Sequence, residues 1–339
     1  MQIGVQFNVF SSKNSNEFKL LTKYLNIDSI LSVEELNGGI NSGVKKLILN
    51  DGSKFILKTF KKDDARNRLK SELNAINYIT KINAKLVPKV VGYDEANLIA
   101  LYHFIDGIPN PRLDQNLIKQ FIDFQILLDR NKNLSIASDI DNAAECSLSS
   151  VSLIQQLENR LLEIKNSDYQ YSALDDFLQH ELIPFFEHLK SRVLLLHSKS
   201  LPYSFEENIP KSWQTLIPSD FSAHNTILME HKSLVFVDFE YFGWDDPIAS
   251  IANFIFHPAM NNYDKVSHCF ESKLCSYFSS FPWFEERYDV LKPIFGFRWC
   301  LIILNCFNSF RNSGRLHSEQ FLQQQLAKSK LLFRKINKI

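Results

Sequence analysis

Ile217-Pro-Ser-Asp220-Phe-Ser-Ala-His-Asn225, followed by Leu234-Val-Phe-Val-Asp238-Phe-Glu240-Tyr241, is the stretch on which the reading of this chain turns. An acid and an amide stand in D-x-x-x-x-N spacing, and a second acid closes an apolar run. Phosphoryl transfer needs such a set. One carboxylate orients a hydroxyl nucleophile, while the amide and the other carboxylate hold the magnesium ions that bridge a nucleotide's phosphates. The bare spacing recurs by chance, and a loop aspartate in an Asx-turn ahead of a hairpin is the plain alternative. The rest of the chain decides between them.

Around the motif, Thr226–Met229 and Leu234–Phe239 read as a strand pair joined by a tight polar turn. Upstream, Asn16–Leu25 has helical apolar spacing, and the pattern then changes to short strands over Ser32–Leu36, Val44–Leu49 and Lys54–Phe60. Asn50-Asp51-Gly52 supplies a hairpin turn between the second and third of these. Ala65–Ile82 is a predicted helix, with Leu69, Leu73, Ile76 and Ile79 on one face. Val90–Tyr93 and Leu98–Ile105 are two further strands, completing a predicted lobe of five antiparallel strands and one main helix over residues 1–106. Residues 107–339 are mostly helical, with apolar periodicity over Asn116–Leu128, Leu153–Ile164 and Leu174–Leu196 (broken at Pro184), and helices resume at Pro247–Phe256 and end in the charged stretch Gln320–Lys338. The fold class is therefore α+β, in two lobes.

Three features of the first lobe bear on the motif. Lys58 is a polar residue inside the apolar run Phe55-Ile-Leu-Lys-Thr-Phe60. It is either a solvent-facing lysine of an edge strand or a phosphate-contacting lysine, and the second role needs a carboxylate partner. Glu72, on the following helix, is the candidate. The loop Gly38-Gly39-Ile-Asn-Ser42-Gly43 can offer backbone N–H groups to phosphate oxygens, or serve as an ordinary glycine turn. It is not a Walker A loop, since no G-K-[ST] follows.

Taken in order, these elements resemble the aminoglycoside phosphotransferase and choline kinase-like family, small-molecule kinases with a protein-kinase-like fold. The match runs through loop 38–43, Lys58, Glu72, a hinge around Leu101–Gly107, Asp220, Asn225 and Asp238. The resemblance implies Asp220 as catalytic base, Asn225 and Asp238 as magnesium ligands, and Lys58 held by Glu72 over the phosphates. Gly38, Gly39 and Ser42 would contact the nucleotide, and the hinge backbone at His103 and Ile105 would take the adenine of ATP, or the guanine of GTP. One departure stands out. The family usually has His-Gly or a similar pair directly before the catalytic acid, where this chain has Pro218-Ser219. A catalytically degenerate nucleotide-binding protein of the same fold is thus the alternative.

Beyond Asp238 the chain is acidic and aromatic. Asp246 before Pro247 reads as a helix N-cap with proline at the first helical position. Glu240, Tyr241, Trp244, Asp245 and Trp299 could bind a cationic amine by charge and aromatic faces. Arg298 could instead meet a carboxylate or phosphate, or snorkel from a helix surface. The acceptor stays open among amino alcohols, sugars and aminoglycosides.

Composition narrows the partners. Lys plus Arg and Asp plus Glu number 38 each, so the formal charge is zero. A neutral chain lacks the basic footprint of a nucleic-acid binder. The five cysteines form no C-x-x-C pair and no even framework, which suits free thiols in a reducing compartment. The first residues show no signal-peptide pattern, and the apolar stretch Trp299–Leu304 stops at Asn305. The histidines show no zinc-ligand spacing. The sequence thus predicts a cytoplasmic protein acting on a small-molecule hydroxyl, with no nucleic-acid or membrane partner, as a monomer or homodimer.

Overall fold

Asp51 and Gly52 reverse the chain between two β-prone runs. Gly52 sits at φ +83°, its N–H donates to the Leu49 carbonyl, and the Asp51 carboxylate accepts from the Ser53 N–H at 2.8 Å. The hairpin belongs to a computed structural model that describes residues 15–36, 42–62, 66–167, 171–308, 311 and 317–338. Contacts divide the chain into two units. The first gathers the described residues up to Arg112 with Asn133–Asp141 and Ala223–Gly243, and the second gathers the others.

In the first unit, β1 (Ile30–Leu36), β2 (Ser42–Leu49), β3 (Lys54–Phe60), β4 (Val90–Asp94) and β5 (Ile99–His103) form one sheet in the order β1-β2-β3-β5-β4. Every neighbouring pair is antiparallel. Ser15 caps α1 (Asn16–Tyr24) by accepting from the Phe18 N–H. Leu20 and Leu21 of that helix then pack with Leu47, Leu57, Ile99 and Leu101 of the sheet. Burying such side chains stabilises a unit by about 1.5–3 kcal/mol each. Between β3 and β4 runs α2 (Arg68–Asn83), capped by Asn67. It buries Leu69, Ile76 and Ile79, and with them the charged Arg68 and Glu72.

Past β5, β6 (Ile108–Pro109) pairs with the strand Thr226–Leu228, which in turn pairs antiparallel with Leu234–Phe236. Gly107 permits that approach. A Cβ there would lie 2.6 Å from both Ile227 Cγ2 and the Leu228 carbonyl oxygen. The expected strand Leu234–Phe239 ends early, at Phe236. Val237 turns its N–H to the Asn225 carbonyl, and Asp238 then takes a left-handed φ of +64°.

The second unit is helical, with α3 (Gln115–Arg130), α4 (Ser150–Lys165), α5 (Ser172–Phe177), α6 (Ile183–Lys199), α7 (Pro247–Phe256), α8 (Asp264–Phe278), α9 (Phe284–Ile303) and α10 (Glu319–Ile336). The break expected at Pro184 is a π-helical turn at Leu178–Leu182, directly ahead of α6. The proline lacks an N–H, so the regular ladder is interrupted before it. As the sequence predicts, the Asp246 carboxylate caps α7 by accepting from the Ile248 N–H, with Pro247 at the first position. α9 packs on α6, α7 and α10. Phe284–Phe307 is long and apolar enough to cross a membrane by composition, yet 67% of its apolar window is buried inside the molecule. That is the behaviour of a core helix.

Candidate active site

Lys58 is 6% exposed. Its place in the middle of β3, between β2 and β5, turns its stem inward, and Val44 and Ala100 flank it in register. Its Nζ lies 2.5 Å from Glu72 Oε2 on α2, 2.7 Å from Asp238 Oδ1 and 3.8 Å from Glu240 Oε2. Burial alone would lower the lysine's pKa. The three carboxylates more than offset that and raise it, Glu72 most strongly. A buried ammonium persists only with such partners. Lys58 is therefore a fixed cation at any ordinary pH.

The cluster continues from Glu240. Arg68 Nη1 donates to Glu240 Oε1 at 2.8 Å, and its guanidinium lies 4.7 Å from the centre of the Tyr241 ring. Glu240 and Tyr241, expected at an acceptor site, are thus engaged inside the first unit with Arg68. Asp238 differs from its neighbours, because 36% of its side chain is exposed.

Asn225 closes a short 3-10 turn, Ala223–Asn225, and is 8% exposed. The Thr226 hydroxyl donates to the Ala223 carbonyl at 2.7 Å, tying the turn to the strand that follows. Thr226 opposes Phe236 across the ladder, and the Val237 N–H donates to the Asn225 carbonyl at 2.9 Å. The amide and Asp238 therefore stand at one end of the same two-stranded ribbon. A carboxylate and an amide oxygen are hard donors of the kind Mg²⁺ takes, and the partly open Asp238 fits that ion.

In the second unit, Asp220 follows a strained turn. Its N–H donates back to the Pro218 carbonyl at 2.9 Å, across Ser219 at φ +65°. An i to i+2 bond over a residue of positive φ is the rare, strained form of γ-turn. A serine there costs about 1–2 kcal/mol relative to a backbone without a Cβ clash. Phe221 anchors the other side, its ring 4.9 Å from Phe121 and 5.9 Å from Phe254. Asp220 Oδ1 lies 3.0 Å from His257 Nε2, and the Trp299 ring packs edge-on to that imidazole at 4.7 Å. Trp299 Nε1 is buried without a hydrogen-bond partner. Sequence reasoning missed His257, which follows α7 and carries no motif; only the tertiary fold reveals it.

Asp245 and Arg298 are both buried in the second unit, each with partners of its own. Asp245 is fully buried, and its Oδ1 accepts from the Ser147 and Asp246 N–H groups at 3.4 and 2.8 Å. Burial pushes its carboxyl up to about 6, opposed by the charge of Arg298. Arg298 donates to the Glu145 carbonyl at 2.6 Å and to Asn253 Oδ1 at 2.9 Å. It neither snorkels nor reaches a surface, since it is 2% exposed. Trp244 is buried under the Lys211 ammonium, 3.2 Å from its ring centre.

The remaining expected nucleotide contacts divide. Gly38 and Gly39 lie outside the described residues. Ser42, expected in the loop, already belongs to β2 and pairs with Phe60. His103 ends β5 with its ring 5.2 Å from Phe55, and Ile105 follows it. The N–H groups of His103 and Phe104 are committed to the Lys89 and Lys54 carbonyls. Those two N–H groups are therefore not free to meet a base.

No family model matches the chain, and neither does any curated protein. Solved structures do. The ethanolamine kinase of Plasmodium vivax gives a TM-score of 0.59 at 16% identity, covering 94% of this chain and 88% of that one. The choline kinase LicA from Streptococcus pneumoniae gives 0.56 at 15% identity, over 93% and 96%. The ADP-bound aminoglycoside phosphotransferase APH(2″)-Ib gives 0.56 at 16% identity, over 95% and 99%. The chain has the fold of these small-molecule kinases. They are the family that the sequence motifs resemble, and their protein-kinase-like architecture accounts for the five-stranded sheet, the α2 helix and the helical second unit.

Proposed function

We propose that this protein is an ATP-dependent phosphotransferase, with GTP as the other candidate donor, that phosphorylates a hydroxyl of a small metabolite. The observation that carries the reading is Lys58. A buried lysine joined to a helix carboxylate, Glu72, and to the exposed-edge acid Asp238 has little structural purpose, whereas phosphate binding calls for it. Lys58 would neutralise phosphate charge, with Gly38, Gly39 and Ser42 beside the phosphates and the segment at His103 and Ile105 beside the base. Asn225 and Asp238 would hold Mg²⁺, which when bound supplies charge neutralisation across the transferring phosphates.

Asp220 is the proposed base. The acceptor oxygen bonds to the γ-phosphorus while the bond to the ADP oxygen breaks, ADP leaves with that electron pair, and the acceptor's proton passes to the Asp220 carboxylate. Catalysis of this kind is chiefly positioning. Of the acceptor-side candidates, Trp299 has the best support, because its buried indole N–H stands unpaired beside His257. Glu240, Tyr241, Trp244, Asp245 and Arg298 would shape that side through the contacts described above. Amino alcohols, sugars and aminoglycosides are the acceptor classes to screen.

The decisive test pairs binding with turnover. Thermal shifts with Mg·ATP and Mg·GTP report binding, and ADP or GDP release with choline, ethanolamine, glucose and kanamycin as acceptors reports transfer. Asp220→Asn should keep the shift and lose about 10²–10⁴-fold in kcat. Wild-type turnover in that variant would remove Asp220 from the role of base. A shift without turnover across the panel would favour the degenerate alternative.

A further inference from the structure

The histidine expected directly before Asp220 is absent from the sequence, and the fold brings another imidazole to the same carboxylate. His257 follows α7 and is 9% exposed. Its Nε2 lies 3.0 Å from Asp220 Oδ1. Its Nδ1 accepts the Ala259 N–H at 3.1 Å. Trp299 packs edge-on against the ring at 4.7 Å between centroids. A backbone N–H can only donate, so the Nδ1 it meets must carry a lone pair. The ring proton therefore sits on Nε2 and points at Asp220, and the imidazole is neutral. The other tautomer would set a bare nitrogen against a carboxylate oxygen, and the doubly protonated ring would turn an N–H toward the Ala259 amide.

We infer that His257 is a positioning residue for Asp220, a neutral Nε2–H donor that fixes the plane and rotamer of the carboxylate meeting the acceptor hydroxyl. The inference rests on the phosphotransferase reading. Its physical content is orientation. Asp220 hangs from a strained γ-turn at Ser219, and a turn fixes where the Cα lies without fixing how the carboxylate is rotated. The imidazole supplies that orientation, and it is itself locked by the Ala259 amide and the Trp299 ring. This is the arrangement by which a hydrogen-bonded partner sets the orientation of a reacting group.

Two measurements test this. Long-range ¹⁵N–¹H correlation spectra should show His257 as the Nε2–H tautomer, with its Nε2 resonance moving in Asp220→Asn. An Nδ1–H tautomer overturns the inference whether or not the protein is a kinase. The second measurement is steady-state kinetics of ADP release with Mg·ATP and the acceptor panel of choline, ethanolamine, glucose and kanamycin. His257→Phe keeps the ring's bulk against Trp299 but has no donor, and its kcat should fall about 10- to 100-fold with KM for ATP unchanged, as loss of an orienting partner typically does. His257→Gln restores an N–H near the Nε2 position and should recover most of the loss. Equal kcat in wild type and His257→Phe overturns the role, as does a Gln variant no better than Phe when both melt at the wild-type temperature. A wild type that releases no ADP with any acceptor sinks the kinase reading and the role with it, and the NMR result shows separately whether the hydrogen bond exists.

Discussion

Each unit buries a cluster of ionised side chains, and the two are built differently. In the first unit two cations, Lys58 and Arg68, face three carboxylates, Glu72, Asp238 and Glu240, and Asp238 is the member open to solvent. In the second, Arg298 meets the Glu145 carbonyl and Asn253 and its charge acts on the buried Asp245, while Arg160 meets Glu145 and Asn305 at 2.7 and 2.8 Å. There the charges are tied among helices and loops, and Arg298 and Asp245 have no exposed edge. A cluster with a surplus acid at its margin is suited to receive a cation. A sealed one holds helices in place.

The largest effect that can break this contrast is on stability. Arg298→Met should destabilise the fold by about 3–5 kcal/mol, because it leaves two buried acceptors, the Glu145 carbonyl and Asn253 Oδ1, without their donor and removes the charge that opposes the burial of Asp245. Urea unfolding measures it. A normal melt with lost transfer would mean that Arg298 serves an acceptor, and the contrast would fail.

Next comes the pH dependence of Asp245. Its folded value of about 6 lies above the ordinary 3.8, so the protonated acid suits the fold. Stability from this group is full below about pH 4 and is lost as pH rises through about 6. The gap between the folded and ordinary values corresponds to about 3 kcal/mol. Wild type should therefore lose that much relative to Asp245→Asn between about pH 4 and pH 7.5, and parallel unfolding curves for the two would refute it.

Asp238→Asn sharpens the comparison from the other side. Removing a half-exposed partner of Lys58 should cost under about 1 kcal/mol of intrinsic stability. The stabilisation by Mg·ATP should vanish, a loss of about 2.7 kcal/mol at a ligand concentration one hundred times Kd. A variant that still responds to Mg·ATP would leave the first cluster as structural as the second.

The smallest effect concerns the turn before Asp220. Ser219→Gly should stabilise the fold by about 1 kcal/mol through relief of the left-handed serine. Differential scanning calorimetry reads it, and a lowered melting temperature would show that Ser219 is not strained.

The legible parts of this chain are those whose cause is local. Asp51-Gly52 marks its hairpin because only a residue without a Cβ enters that turn freely. Asp246-Pro247 marks the start of α7 by the chemistry of helix ends. Lys58 stands out as a charge inside an apolar strand, and the next helix offers Glu72 within reach. What the sequence hides depends on tertiary approach. For Glu240 and Tyr241, read as acceptor-side residues from their place after Asp238, it hides the contact that Arg68 on α2 makes with both. Arg298 reads as an anion-binding or a snorkelling guanidinium, since no local pattern shows that Glu145 and Asn253 enclose it. His257 reaches Asp220 from beyond α7, with neither spacing nor composition to signal it. The early end of the strand at Phe236 is hidden too, because the Val237 N–H turns to Asn225 instead of continuing the ladder.

The left-handed Ser219 also sets a tolerance spectrum for its position. In a saturation library, side chains should rank by their comfort at positive φ and not by polarity or size. Glycine should lead, asparagine and aspartate should follow, and valine and isoleucine should be purged. Serine sits between those extremes, and it carries a hydroxyl that finds no hydrogen-bond partner. Position 219 would thus look permissive to polar exchange and intolerant of branching, a signature that belongs to the backbone angle ahead of Asp220 and to no contact of the side chain itself.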